Sequence, residues 1–263
     1  MSEVITLGSD VEVQVMDYHG NLISAVGLIG GSKDAPMLVD FGNLQEDNVN
    51  AEFAIDPVQT EDEWVRNITH VLKSLDDTLE LNGYTYRIEP WGRYPDEQLQ
   101  SEAAQQFACD PDFSIYTGGE NVIPPAHIVG SFRTCGAHIH VGGAASSAEE
   151  IIPWMDALLA LPSLFKDNDR QRRRLYGQAG AFRPKPYGFE YRTLSNFWIK
   201  NERDMRWAYQ STHKAIQLSK EEDISQVPMY DNIPEIINQY DLQAAESIMD
   251  FLINKGWSDA QLH

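Results

Sequence analysis

Two histidines and four acidic residues recur at alternate positions in segments that read as strands. In Val4–Met16, Asp10, Glu12 and Gln14 share one side and Val11, Val13 and Val15 the other, because side chains on a strand alternate with period two. In the segment 49–55, Asn50 and Glu52 oppose Val49, Ala51, Phe53 and Ile55. His138 and His140 oppose Ile139 and Val141, and Glu190 and Arg192 oppose the aromatic residues Phe189 and Tyr191. Each pair has a plain reading: a solvated histidine pair, a wet sheet face, or a same-face ion pair worth roughly 0–1 kcal/mol. Together they draw on one ligand set. Carboxylates and imidazoles gathered on a sheet suit a divalent cation, because like charges held close need a counter-charge between them. Oxygen donors with imidazole favour Mg or Mn, and two cysteines, Cys109 and Cys135, cannot make a four-thiolate zinc site.

The basic residues cluster as well. Lys166, Arg170, Arg172, Arg173, Arg174, Arg183, Lys185 and Arg192 are eight of the chain's 20 Lys and Arg residues within 27 positions, opposed by Asp167, Asp169 and Glu190. A solvated helix face accounts for Arg172–Arg174 alone. A polyphosphate site accounts for the whole cluster, since guanidinium groups take phosphate oxygens and cations bridge them to carboxylates. No Gly-x-x-x-x-Gly-Lys-Ser/Thr loop is present, so a P-loop nucleotide site is excluded.

These residues need a scaffold, and 263 residues with 42% apolar content can bury a sizeable core. The net charge of −20 argues against general nucleic-acid or anionic-membrane binding. No stretch approaches roughly 18 apolar residues, and the N-terminus lacks a basic region followed by an apolar one. The expectation is a soluble, cytoplasmic protein with reduced cysteines. Strands are expected at 4–16, 22–29, 49–55, 84–90 and 137–141 and within 187–198. A helix opens at the capping box of Thr60 and Glu63, with the stripe Trp64, Ile68, Val71, Leu72, Leu75 and Leu79, and ends near Gly83. Further helices are expected over 95–108, from a capping box of Ser146 and Glu149 to about Phe165, and over 201–219 and 241–255. The loop 109–130 reads as a lid or a static surface connection. With no linker or repeat, the reading is one α+β domain over 1–263, its motif-bearing core at 4–200 and a helical part at 201–263.

The segments Gly8-Ser9-Asp10-Val11-Glu12, Asp47-Asn48-Val49-Asn50-Ala51-Glu52-Phe53 and Gly136-Ala137-His138-Ile139-His140-Val141-Gly142, followed by the run from Arg174 to Trp198 that contains Arg183-Pro184-Lys185-Pro186-Tyr187-Gly188-Phe189-Glu190-Tyr191-Arg192, occur in that order. This arrangement resembles the phage-encoded carboxylate–amine ligases of type 2, compact relatives of glutamine synthetase and glutamate–cysteine ligase. The resemblance spans roughly residues 4–200. It implies a curved antiparallel sheet with helices on its outer face. It also implies ATP with two or three Mg or Mn ions, and amide formation through an acyl phosphate. By motif, Asp10, Glu12, His138 and Glu190 resemble metal ligands, and Glu52 a ligand of a second metal with a catalytic part. His140 resembles a group approaching the nucleotide phosphates, and Arg192 a catalytic, phosphate-binding arginine. Arg172, Arg173, Arg174, Arg183 and Lys185 are expected on the nucleotide by position. Asp10 departs from the Glu of glutamine synthetase, an arm shorter by about 1.5 Å.

The leading reading is therefore an ATP-dependent ligase acting on a small-molecule or peptide carboxylate and an amine, with no direct nucleic-acid or membrane partner and with a homo-oligomer left open. A metal-dependent hydrolase using the same His and carboxylate face is the second reading, although it has no need of the arginines. A non-catalytic relative with a degenerate site is the third.

Overall fold

The computed structural model describes residues 3–105, 112–122, 124 and 129–259. Cys109, the end of the helix expected over 95–108 and parts of the expected 109–130 loop lie outside the described residues. Ten strands form one antiparallel sheet: β1 (Thr6–Met16), β2 (Leu22–Ile23), β3 (Met37–Val39), β4 (Gly42–Asp47), β5 (Asn50–Val58), β6 (Thr85–Arg87), β8 (Phe113–Ser114), β10 (Ala137–Gly142), β11 (Ala181–Lys185) and β12 (Gly188–Tyr191). The main order is β3-β4-β5-β1-β10-β12-β11-β8, with β2 and β6 paired to the far end of β1. Two short strands, β7 (Trp91–Arg93) and β9 (Phe132–Thr134), make a separate ribbon.

The long strand β1 is central because its valine face is fully buried while its acidic face has strands on both sides to share the charge. Val11, Val13 and Val15 join Phe53, Ile139, Val141 and Tyr191 beneath the helices. Helix α1 (Glu61–Glu80) packs along β5, and its Trp64 stacks on Trp198 at 5.5 Å with ring planes 14° apart. The Trp64 indole N–H donates to Met205 O at 3.1 Å, giving the buried donor its acceptor. The remaining helices are α2 (Glu102–Gln105), α3 (Ala148–Met155), α4 (Leu161–Lys166), α5 (Arg170–Arg173), α6 (Glu202–Glu221), α7 (Ile233–Gln239) and α8 (Leu242–Asn254). One apolar cluster runs from Leu7 in β1 to Trp257 beyond α8. The architecture is α+β, as the segment pattern implied. No helix among the described residues is long and apolar enough to cross a membrane.

Four local expectations shift. The returning strand expected over 22–29 keeps only Leu22 and Ile23, because the chain then turns through Leu28 N–H to Ala25 O, with Gly27 and Gly30 at φ +82° and +81°. The second capping box lies one residue later, on Ser147 and Glu150, whose carboxylate accepts from Ser147 N–H at 2.7 Å. The doublets Ser146-Ser147 and Glu149-Glu150 satisfy the motif in either frame, and burial of Ile151 and Ile152 selects the second. Between α3 and α4 the helix widens into a π turn, Asp156–Ala160, directly before Pro162, which has no N–H to return to the preceding turn. At 95–105, a 3-10 turn (Asp96–Leu99) and the short α2 stand where one helix was expected.

The α1 cap is the fold element most directly set by local sequence. Thr60→Ala removes the hydroxyl that accepts from Glu63 N–H. It is expected to lower stability by about 1 kcal/mol, read as a lower urea midpoint with unchanged m value. An unchanged midpoint would show the box to be idle.

Candidate metal and phosphate site

Strand register assembles the site from six strands. Asp10 lies opposite His138, Glu12 opposite Glu52, His140 opposite Glu190, and Glu190 opposite Arg183. The β4–β5 hairpin brings Asp47 opposite Asn50 at its tip. These positions have the same parity on one sheet face. A polar cavity of about 140 Å³ opens there, lined by Asp10, Glu12, Glu52, His138, Arg183, Lys185 and Arg192 together with Lys33, Asp47, Asn50 and Tyr176.

The acids fall into two groups. Donor atoms of Asp10, His140 and Glu190 lie within 4.8 Å of one another, and so do those of Glu12, Asp47 and Glu52. In the second group, burial and then the Asp47 charge push Glu12 up to about 8. Burial, then Asp10, Asp47 and Glu12, push Glu52 well above the usual carboxylate range. Gln45 donates to Glu52 Oε1 at 2.6 Å, and Gly136 N–H donates to Glu12 Oε2 at 3.1 Å. Three carboxylates held this close fit the oxygen-rich sphere of Mg or Mn.

The first group is better neutralised. Burial works against an ionised Asp10, but His138 and His140 outweigh it and hold the carboxyl well below its usual range. Burial and Arg192 together push His138 down to about 3, so the ring is neutral at pH 7. The ring is met on both sides: Arg192 donates to Tyr176 Oη, Tyr176 Oη lies 3.3 Å from His138 Nε2, and His138 Nδ1 lies 2.8 Å from Asp10 Oδ1 and 3.3 Å from Arg192 Nη1. The Nδ1 atom also stands 3.4 Å from Glu190 Oε1, so His138 lies against both acids of its motif. Gly136 makes room for this ring, since a Cβ there would lie 2.4 Å from His138 Nε2. Glu190 is fully buried and meets Arg192, Lys185 Nζ at 2.9 Å and Arg183 Nη1 at 3.5 Å. Arg192 is held from behind by Asp112, Nε to Oδ2 at 3.4 Å. The basic side chains thus gather at one end of the cavity and the Glu12, Asp47 and Glu52 carboxyls at the other.

The phosphate role expected of Arg172, Arg173 and Arg174 meets a correction. Arg172 is fully buried and donates to Thr193 O at 2.9 Å and Leu194 O at 2.8 Å. Arg173 pairs with Asp169 at 2.8 Å and donates to Ser163 Oγ at 2.9 Å. Arg174 is exposed and none of the three lines the cavity. The four-residue α5 turns this run inward to hold the segment 193–194 behind the site, and Arg172 backs the Tyr176 ring at 5.4 Å. Charge density along the chain could not distinguish a guanidinium that binds backbone carbonyls from one that faces a cavity. His140, expected at the nucleotide, faces the Asp10–Glu190 pair, with Nε2 3.3 Å from Asp10 Oδ2. Asp47, Tyr176 and Asp112 escaped the sequence reading. Asp47 stood in a recognised segment, and the tight hairpin at Asn48, φ +55°, was the signal that would have turned it toward Glu52.

Residues 120–243, just under half the chain, match the model of the family described as "Phage phiEco32-like COOH.NH2 ligase-type 2". The resemblance seen in the sequence is therefore shown over that segment, which carries His138, His140, Arg183, Lys185, Glu190 and Arg192, while Asp10, Glu12, Asp47 and Glu52 precede it. A solved structure titled "Crystal structure of novel glutamine synthase homolog" superposes with a TM-score of 0.43 at 13% identity, over 94% of this chain and 67% of that one. No curated protein matches the sequence.

The strain in the second acid group is measurable without any ligand. The folded pKa of Glu12 is raised from 4.5 to about 8, so its contribution to stability is fully present below 4.5 and is lost as pH rises through about 8. Glu12→Gln removes that loss. In chelator, the variant is expected to gain on the wild type across this window in urea unfolding, and parallel pH profiles would refute the burial of that charge.

Proposed function

We propose that this chain is an ATP-dependent carboxylate–amine ligase that forms an amide through an acyl phosphate. The observation that carries the reading is the juxtaposition on one sheet face of two acid groups with cation-binding geometry and a cluster of Arg192, Arg183 and Lys185. The family match over residues 120–243 supports it. A hydrolase has no need of the second, cationic end.

Asp10, Glu190 and an imidazole would hold one Mg or Mn, and Glu12, Asp47 and Glu52 another. The cations, when bound, neutralise the repulsion between a substrate carboxylate and a triphosphate. Arg192 meets the phosphoryl group in transfer, its guanidinium aimed by Asp112 and Tyr176, while Arg183 and Lys185 take the remaining phosphate oxygens. The substrate carboxylate oxygen bonds to the γ-phosphorus as the bond to ADP breaks. An amine nitrogen then bonds to the acyl carbon and inorganic phosphate leaves. Glu52, once ionised, would be the group that takes the proton the amine loses. The buried floor of the site, with Glu190 and His138 at or near zero exposure, limits water that would hydrolyse the acyl phosphate.

Thermal unfolding with ATP and Mg or Mn, against metal alone, tests the reading without a known substrate. At 100 times its dissociation constant a nucleotide stabilises by roughly 2.7 kcal/mol. A metal-dependent ATP shift is expected in the wild type and is lost in Glu190→Ala and Asp10→Ala. A shift with metal alone that ATP does not increase would replace the ligase with a metal-dependent hydrolase.

A further inference from the structure

Tyr187 has no part in the site as described, yet it touches it. It sits at the turn between β11 and β12, about half exposed. Its ring lies against His140, centroids 6.0 Å apart and planes 16° from parallel, and its Oη is 2.8 Å from His140 Nδ1. The turn is pinned to β10 through the pairing of Gly188 with Gly142 and through Gly143 N–H to Tyr187 O at 3.3 Å. Backbone bonds therefore hold Tyr187 beside His140 independently of its hydroxyl. The other ring nitrogen, Nε2, is buried and has no hydrogen-bond partner, although Asp10 Oδ2 is 3.3 Å away.

A neutral imidazole presents a lone pair at one nitrogen only, and the partner of the other nitrogen selects which. We propose that Tyr187 is the positioning residue for His140: its Oη accepts the Nδ1–H and leaves the Nε2 lone pair facing Asp10 and Glu190 to hold a divalent cation. This rests on the cation-binding part of the function proposed above, and on nothing about its substrates. In the opposite tautomer Tyr187 would donate to Nδ1, and Nε2–H would face a carboxylate or a phosphate instead.

Two measurements on the full chain separate these cases. Nitrogen-15 NMR of the imidazole rings without metal, with the His140 signals assigned through His140→Gln, is expected to show Nδ1 protonated in the wild type and a shift toward Nε2–H in Tyr187→Phe. Titration with Mn alone, followed by the EPR signal of the free ion, is expected to show roughly 10–100-fold weaker binding at one site in Tyr187→Phe, with the Glu12–Asp47–Glu52 site unchanged. An Nε2–H tautomer in the wild type overturns the proposal, and so does equal Mn affinity in the two proteins. If the wild type binds no Mn, the cation site itself fails, and the NMR result alone still decides whether Tyr187 sets the tautomer.

Discussion

Like-charge repulsion on the polar face of one sheet is the constraint around which the structure is arranged. Glu12, Asp47 and Glu52 bring three carboxylates within 4.8 Å, and Asp10 and Glu190 stand in the neighbouring group. Left in water these acids would separate. Here the backbone forbids it, because each is a register position in a strand whose opposite face is locked into the core. Val11 and Val13 flank Glu12, and Phe53 follows Glu52, all at zero exposure. Moving a carboxylate away would require a strand to slip, and a one-residue slip would carry the whole apolar set out of the core.

The surroundings answer that repulsion unequally. At the Glu190 end, Arg192, Arg183 and Lys185 supply positive charge, and Asp112 and Tyr176 fix Arg192 in turn. At the Glu12 end the response is protonation, with carboxyl groups pushed upward by burial and by one another. The asymmetry gives the cavity a basic end suited to phosphate oxygens and a carboxyl end suited to a cation. The arginines that do not reach it still serve it. Arg172, fixed by Asp169, holds the carbonyls of 193 and 194 in the segment that follows Arg192, and Arg173 ties Asp169 to Ser163.

Much of this was legible before any coordinates. Alternation placed Asp10, Glu12, Glu52, His138 and Glu190 on strand faces opposite apolar residues, because period two is a property of a single strand. The capping box at Thr60 and Glu63 was equally local and stands where it was read. The box at 146–150 slipped by one because two overlapping frames satisfied the same motif, and only the burial of Ile151 and Ile152 separates them. The eight clustered basic residues were visible as charge and not as direction.

The sequence by itself determined which residues carry the chemistry and which strand face each occupies, since both depend on composition and on neighbours one or two positions away. Tertiary structure decided who meets whom. The crossing from β1 to β10 and β12, and the return of β4 beside β5, pair Asp10 with His138, His140 with Glu190 and Glu12 with Glu52 across separations of 40 to more than 100 residues. Those pairings decided that Asp47 joins the second acid group, that Arg172 faces carbonyls, and that Tyr187 reaches His140. Long-range register depends on how separate apolar faces fit together over one core, and no local pattern in the chain encodes that fit.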